Sequence, residues 1–217
     1  MLEPQRASQP EGDAGVLRRV PAEFLEPLPF VQIREEVLVS RAQFFRRDGR
    51  FSEEAIPGLC SDRHDGRSMH FIVRDALGRP AGLLRLTLAG EELSLPLQDK
   101  HVGFEIGPRD AEASRFIVDP GTRASFSAYR LAEAVVRTCV QHGVTNLYIN
   151  PVLGGTGISP ATYSRMFKAE DTGREAYQPL YDCMTRLMVI AGAEKLQAVG
   201  SELTRRVSRA WVRGAEQ

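Results

Sequence analysis

The chain has no net charge to speak of. Its 28 Lys and Arg are matched by 28 Asp and Glu, so no global field draws it toward nucleic acid or a membrane surface. It also lacks long apolar runs. Stretches such as "VGFEIG" and "LMVIAGA" are too short to span a bilayer. The opening "MLEPQRASQPEGDAG" has no apolar signal-peptide core. Cysteine is scarce: Cys60, Cys139 and Cys183 form no CxxC and no Cys/His spacing. An odd count without a secretion signal points to reduced thiols and a cytoplasmic protein, and no metal site is expected. No internal repeat is visible.

What remains is an ordinary globular composition, with 42% apolar and 26% charged residues in 217. Residues 1–16 carry little to bury and are expected to form a mobile tail, with 17–217 as one domain. Apolar residues recur at helical spacing from Glu23 to Phe45, with a start broken by Pro27 and Pro29. The turn-rich, charged segment 46–68 reads as a long loop. Two strands follow around a turn, at 69–75 and 81–89, and a third at "EASRFIVD". A helix is expected over 125–143, a strand over 145–152, a helix over 176–192 and a short strand at "EKLQAVG". The tail "LTRRVSRAWVRG" is basic and amphipathic. The order implies a mixed α/β sheet with helices packed on it.

Several polar residues look misplaced against that pattern. Arg85 interrupts the apolar strand "GLLRL", and a guanidinium there is costly unless it meets carboxylates. Asp62 and Asp65 form a D-x-x-D pair in the loop, and Glu112 and Arg115 flank Ser114 at the mouth of "FIV". Three carboxylates and three arginines, counting Arg41, would cancel and line a polar cleft. Structural ion pairs explain the same residues, and spacing alone leaves both readings open.

The ordered series Arg41, Phe45, Phe51, Asp62, Asp65, Arg85, Glu112, Ser114 and Arg115 resembles the signature of the acyl-homoserine-lactone synthases, which make quorum-sensing autoinducers. Phe51 stands where that family usually has Trp, and the 151–178 segment is longer. The resemblance implies an α/β (α+β) fold like the GNAT acyltransferases. Such a fold has a mixed central sheet with two splayed strands, here "SRFIVD" and "TNLYINPV", and helices on both faces. It implies transfer of an acyl group from acyl-carrier protein or acyl-CoA to the amine of S-adenosylmethionine, followed by lactonisation, with no tightly bound cofactor. An N-acyl amino acid synthase, with a free amino acid as acceptor, is the alternative.

On that resemblance Glu112, Ser114 and Arg115 are the catalytic candidates. Arg41, Phe45, Phe51, Asp62, Asp65, Arg85, Phe116 and Val118 would contact substrate. Arg123, Ser125 and Ser127, around the start of the 125–143 helix, would meet the phosphopantetheine arm. The basic tail, with Arg205, Arg206, Arg209 and Arg213, would steer an acidic carrier protein.

Overall fold

The computed structural model describes residues 25–48, 51–91, 93–119, 124–153 and 159–215. The expected tail at 1–16 and Arg123 lie outside them. In chain order the elements are β1 (Leu28–Pro29), α1 (Phe30–Asp48), α2 (Ile56–Cys60), β2 (Met69–Arg74), β3 (Pro80–Leu88), β4 (Asp110–Val118), α3 (Ala124–Gln141), β5 (Asn146–Ile149), β6 (Val152–Leu153), α4 (Pro160–Phe167), β7 (Glu170–Gln178), β8 (Cys183–Ala191) and α5 (Ala193–Ala215).

The eight strands form one sheet in the order β1-β2-β3-β4-β5-β8-β6, with β7 on the other edge of β8. Every pairing is antiparallel except β4 with β5. Helices cover both faces. On one, Leu131, Val135 and Cys139 of α3 and Leu196, Val199 and Leu203 of α5 bury Phe71, Leu84, Leu86, Ala111 and Ala113. Gly82 lets α3 come close, because a Cβ there would sit 3.0 Å from Leu131 Cδ1 and 3.1 Å from the Ile117 carbonyl. On the other face, Phe30, Val37 and Phe44 of α1 pack on Ile72 and Leu83.

The N-terminal helix starts later than its periodicity suggests. Leu28 and Pro29 pair with the rim of β2, an edge position where the missing proline N–H costs nothing. The 46–68 segment is not wholly loop, since it holds α2 and a 3-10 turn at Asp65–Arg67. The C-terminal third departs most. The expected helix over 176–192 is instead the end of β7 and all of β8. Leu187 faces one apolar cluster while Met188 and Ile190 face another, so the run is apolar on both sides and imitates a buried helix. The expected strand "EKLQAVG" opens α5, whose Leu196, Val199 and Leu203 lie along one helical face. Helix α4 was not anticipated, although Ser159 caps it by accepting from Thr162 N at 3.3 Å, with Pro160 next.

One break in the sheet positions everything that follows. β4 pairs with β5 only from Asp110 to Ala113, opposite Asn146 to Ile149. Past that rung β4 keeps its bonds to β3 as far as Val118, but β5 ends and the chain resumes as β6 against β8. The two strands splay, and among the described residues no strand pairs with the free edge of the far half of β4.

Candidate active site

A β-bulge sits at the splay. Arg85 faces Ser114 and Leu83 faces Ile117, so Arg115 and Phe116 together oppose Leu84. Arg115 takes the left-handed conformation, φ 55°, which few non-glycine residues adopt. Strict alternation would send Arg115 to the apolar α3 face. The bulge keeps Ser114 and Arg115 on the same face as Glu112 and Arg85, and turns Phe116 and Val118 toward α3 and α4.

Five charged groups converge on that face. Asp65 accepts from both terminal nitrogens of Arg41, at 2.9 and 3.1 Å, and from Arg85 at 2.9 Å. Asp62 accepts from Arg85 at 2.6 Å and from Arg115 at 3.0 Å. Arg85 Nε reaches Ser114 Oγ at 3.0 Å. The D-x-x-D spacing aims both carboxylates because the loop folds on itself. Asp62 N–H donates to Asp65 Oδ2 at 3.0 Å, and His64 N–H donates to Asp62 Oδ1 at 2.9 Å.

Burial pushes both aspartates up, yet the guanidinium groups outweigh it: Asp62 is held well below the ordinary carboxylate range, and Asp65 is lowered too. Burial takes His70 down to about 4, so it is neutral. Its Nε2–H donates to the Asp65 carbonyl at 3.1 Å. Three guanidiniums against two carboxylates leave one positive charge in surplus.

Glu112 does not join this network, contrary to the expected three-against-three balance. It is fully buried; one oxygen accepts from Leu97 N–H and the other, Oε1, has no partner among the described residues. Desolvation raises its pKa against the pull of Lys100 and Arg85. A buried carboxyl that holds its proton more tightly than usual is a different chemical object from Asp62 and Asp65.

The aromatic candidates divide. Phe45 and Phe51 stand edge-on, 5.4 Å between centroids, and both pack on Tyr181. Tyr181 accepts from Arg115 and lies 5.8 Å beneath its guanidinium. Nothing in the sequence near Tyr181 marked it, since it lies between two strands read as a helix. Phe116 is on the opposite face, packed on Tyr163 and Phe167 of α4 at 5.9 and 6.2 Å, and Val118 packs on the same core. Ser127 is buried in the first turns of α3, and the Ser125 side chain falls outside the described residues. In the basic tail Arg205 and Arg206 both pair with Glu202, and Arg206 also donates to Tyr129, so those two charges are partly spent within the helix layer.

No protein-family model and no curated protein matches the chain. Solved structures do. TofI, in a ternary complex with an inhibitor and MTA, is 21% identical with a TM-score of 0.54, over 78% of this chain and 91% of that one. The CoA-dependent acyl-homoserine lactone synthase BjaI, with SAM and isopentyl-CoA, is 16% identical with a TM-score of 0.53, over 83% and 89%.

The fold is theirs. It is shared equally by FeeM, an N-acyl amino acid synthase from uncultured soil microbes, at 12% identity and TM-score 0.53 over 80% and 93%. The acyltransferase architecture expected from the sequence, a mixed sheet with splayed strands and helices on both faces, is thus the one observed. Among the described residues no helix is long and apolar enough to cross a membrane, and no group of three His, Cys, Asp or Glu is placed to hold a metal ion.

Proposed function

We propose that this chain is an N-acyltransferase. It moves an acyl group from a coenzyme A or carrier-protein thioester to the α-amine of S-adenosylmethionine, and the product closes to an N-acyl-homoserine lactone. The observation that carries the reading is the coincidence of two features on β4. The strand parts from β5 just beyond Ala113, and the bulge at Arg115 brings the acid–guanidinium cluster to that same point.

The unpaired edge of β4 offers backbone N–H and C=O groups to the amides of a pantetheine arm. Phe116, Val118, Tyr163 and Phe167, on the α4 side, give the acyl chain an apolar surface. The acceptor lies on the charged face. Its α-carboxylate meets the surplus positive charge around Arg115, and its sulfonium end meets Phe45, Phe51 and Tyr181. Glu112 takes the proton released as the amine attacks, through a water that bridges to its sealed carboxyl. The new C–N bond forms, the C–S bond breaks, and the thiolate leaves with a proton. In the second step the acceptor carboxylate displaces the sulfonium, releasing methylthioadenosine. That step needs positioning more than acid–base help.

A second reading, a free amino acid as acceptor without ring closure, is supported by the equal likeness to FeeM. The test is purified protein with octanoyl-CoA and S-adenosylmethionine, assayed for free thiol and methylthioadenosine. Release of both supports the first reading. Thiol release with a free amino acid, and no methylthioadenosine from S-adenosylmethionine, selects the second. A protein that binds these ligands and transfers acyl groups to no amine is a binding module, and both enzyme readings fall.

A further inference from the structure

Among the described residues, two buried side-chain polar atoms without a hydrogen-bond partner belong to one corner of the splay, and their chemistry is complementary. Glu112 Oε1 is an acceptor without a donor, and Asn150 Nδ2 is a donor without an acceptor. Glu112 stands opposite Tyr148 across the parallel pair, and Ala113 opposite Ile149. Asn150 is therefore the first residue beyond the last β4–β5 rung, two along from the residue facing Glu112. Native proteins seldom leave a buried amide nitrogen unpaired, because its desolvation is then uncompensated.

One loop holds both groups. Leu97 N–H donates to the other oxygen of Glu112. His101, four residues on and itself buried, donates from Nε2 to Asn150 Oδ1 at 3.4 Å. That bond engages the amide oxygen and leaves the NH2 group for something else. Burial lowers the His101 pKa and so favours the neutral ring, which with its proton on Nε2 suits this contact. Lys100, between the two anchors, adds a positive charge close enough to pull on Glu112.

We propose that Asn150 is a catalytic residue. Its side-chain amide donates to the thioester carbonyl oxygen as that oxygen becomes an oxyanion, while His101 is the positioning residue that orients it. This deepens the acyl-transfer reading and rests on it. As the amine nitrogen bonds to the carbonyl carbon, the C=O π pair moves onto oxygen and the Asn150 N–H stabilises it. When the pair returns, the C–S bond breaks and the thiolate leaves with the proton that Glu112 had taken. No other reactant is needed. A donor aimed at an oxygen that gains charge only during reaction is unpaired at rest, which is the state observed.

The experiment compares wild type with Asn150→Asp and Asn150→Ala, using octanoyl-CoA labelled with ¹³C at the carbonyl. Expected is a fall in kcat of roughly 10²–10³-fold in both variants, with KM for the thioester within about threefold. Infrared spectroscopy should show the carbonyl stretch of the bound thioester displaced to lower frequency in wild type, and restored in Asn150→Asp. Asn150→Ala also strips the buried His101 Nε2–H of its acceptor and should melt lower, whereas Asn150→Asp keeps that oxygen, so its loss of kcat reads the missing N–H donor. His101→Gln, whose amide can still donate to Asn150 Oδ1, should retain more kcat than His101→Leu. Wild-type turnover with Asn150→Asp within threefold of it would overturn this inference and leave the proposed function standing. A carbonyl shift that depends on Asn150, without methylthioadenosine release, would overturn only the acceptor assignment. If wild type shows neither shift nor turnover, both fall.

Discussion

Asp65→Asn tests how much the charged cluster contributes to holding the site together. The Asp65 side chain is 1% exposed and accepts from Arg41 twice, from Arg85 and from the Asp62 N–H. The asparagine keeps one acceptor oxygen but turns an NH2 toward a guanidinium. Three buried or half-buried arginines would then face one carboxylate. Breaking a buried pair from one side costs about 3–5 kcal/mol, mostly the desolvation of the charges left behind. That is a large part of a total stability of roughly 5–15 kcal/mol. For a chain of this size it lowers Tm by roughly 6–20 °C.

Asp62→Asn, at a side chain 28% exposed, should cost only about 1–2 kcal/mol, because water takes over part of the carboxylate's work. The assay is urea unfolding by circular dichroism at pH 7, in low and high salt, with little salt dependence expected for Asp65. The pH dependence has a definite sign. Asp65 titrates below its unfolded value of about 3.9, so its contribution is complete above that pH and disappears as pH falls through the lowered native value. The gap between wild type and Asp65→Asn should therefore close in acid. A loss under about 1 kcal/mol at pH 7, or equal losses at both aspartates, would refute the account.

Glu112 has the opposite linkage. Its native pKa is raised, so the folded state holds the proton more tightly and stability declines as pH climbs above about 4.3. Glu112→Gln keeps an acceptor for Leu97 N–H and should match wild type near pH 4 but melt higher at pH 8, with kcat down by roughly 10²–10⁴-fold. At the bulge, Arg115→Gly should be more stable than Arg115→Ala by about 1 kcal/mol in chemical denaturation, the reverse of an ordinary strand site, because φ is 55°. Tyr181→Phe removes the acceptor for Arg115 while keeping the ring against Phe45 and Phe51. It should cost about 0.5–1.5 kcal/mol and raise KM for the acceptor with kcat nearly unchanged, whereas Tyr181→Ala should lower both stability and affinity further.

The N-terminal two-thirds of the fold was largely legible. The β2–β3 hairpin, α3 and the start of β4 carry their own periodicity and turn signals. The last third was not, since "LMVIA" in β8 is apolar on both faces of a covered sheet and has no alternation to reveal it. With β8 read as helix, Tyr181 had no reason to lie near Arg115. Asn150 carries no signal of its own either, because an asparagine after a strand reads as a turn residue until its neighbours are known.

The inventory of the charged cluster, Arg41, Asp62, Asp65, Arg85 and Arg115, and the need of each buried guanidinium for a carboxylate, follow from residue identity and from the cost of unpaired charge in an apolar sheet. The D-x-x-D turn is local as well. Which face each side chain occupies was decided by tertiary structure. A single extra residue in β4, set against β3, reverses the alternation at Arg115 and sends Phe116 to the other side. Separation of Glu112 from the arginines likewise depends on the distant Leu97 N–H and on where β5 stops. Side-chain alternation is a property of one strand, but a bulge and a splay are properties of how strands meet, and no single stretch of chain encodes them.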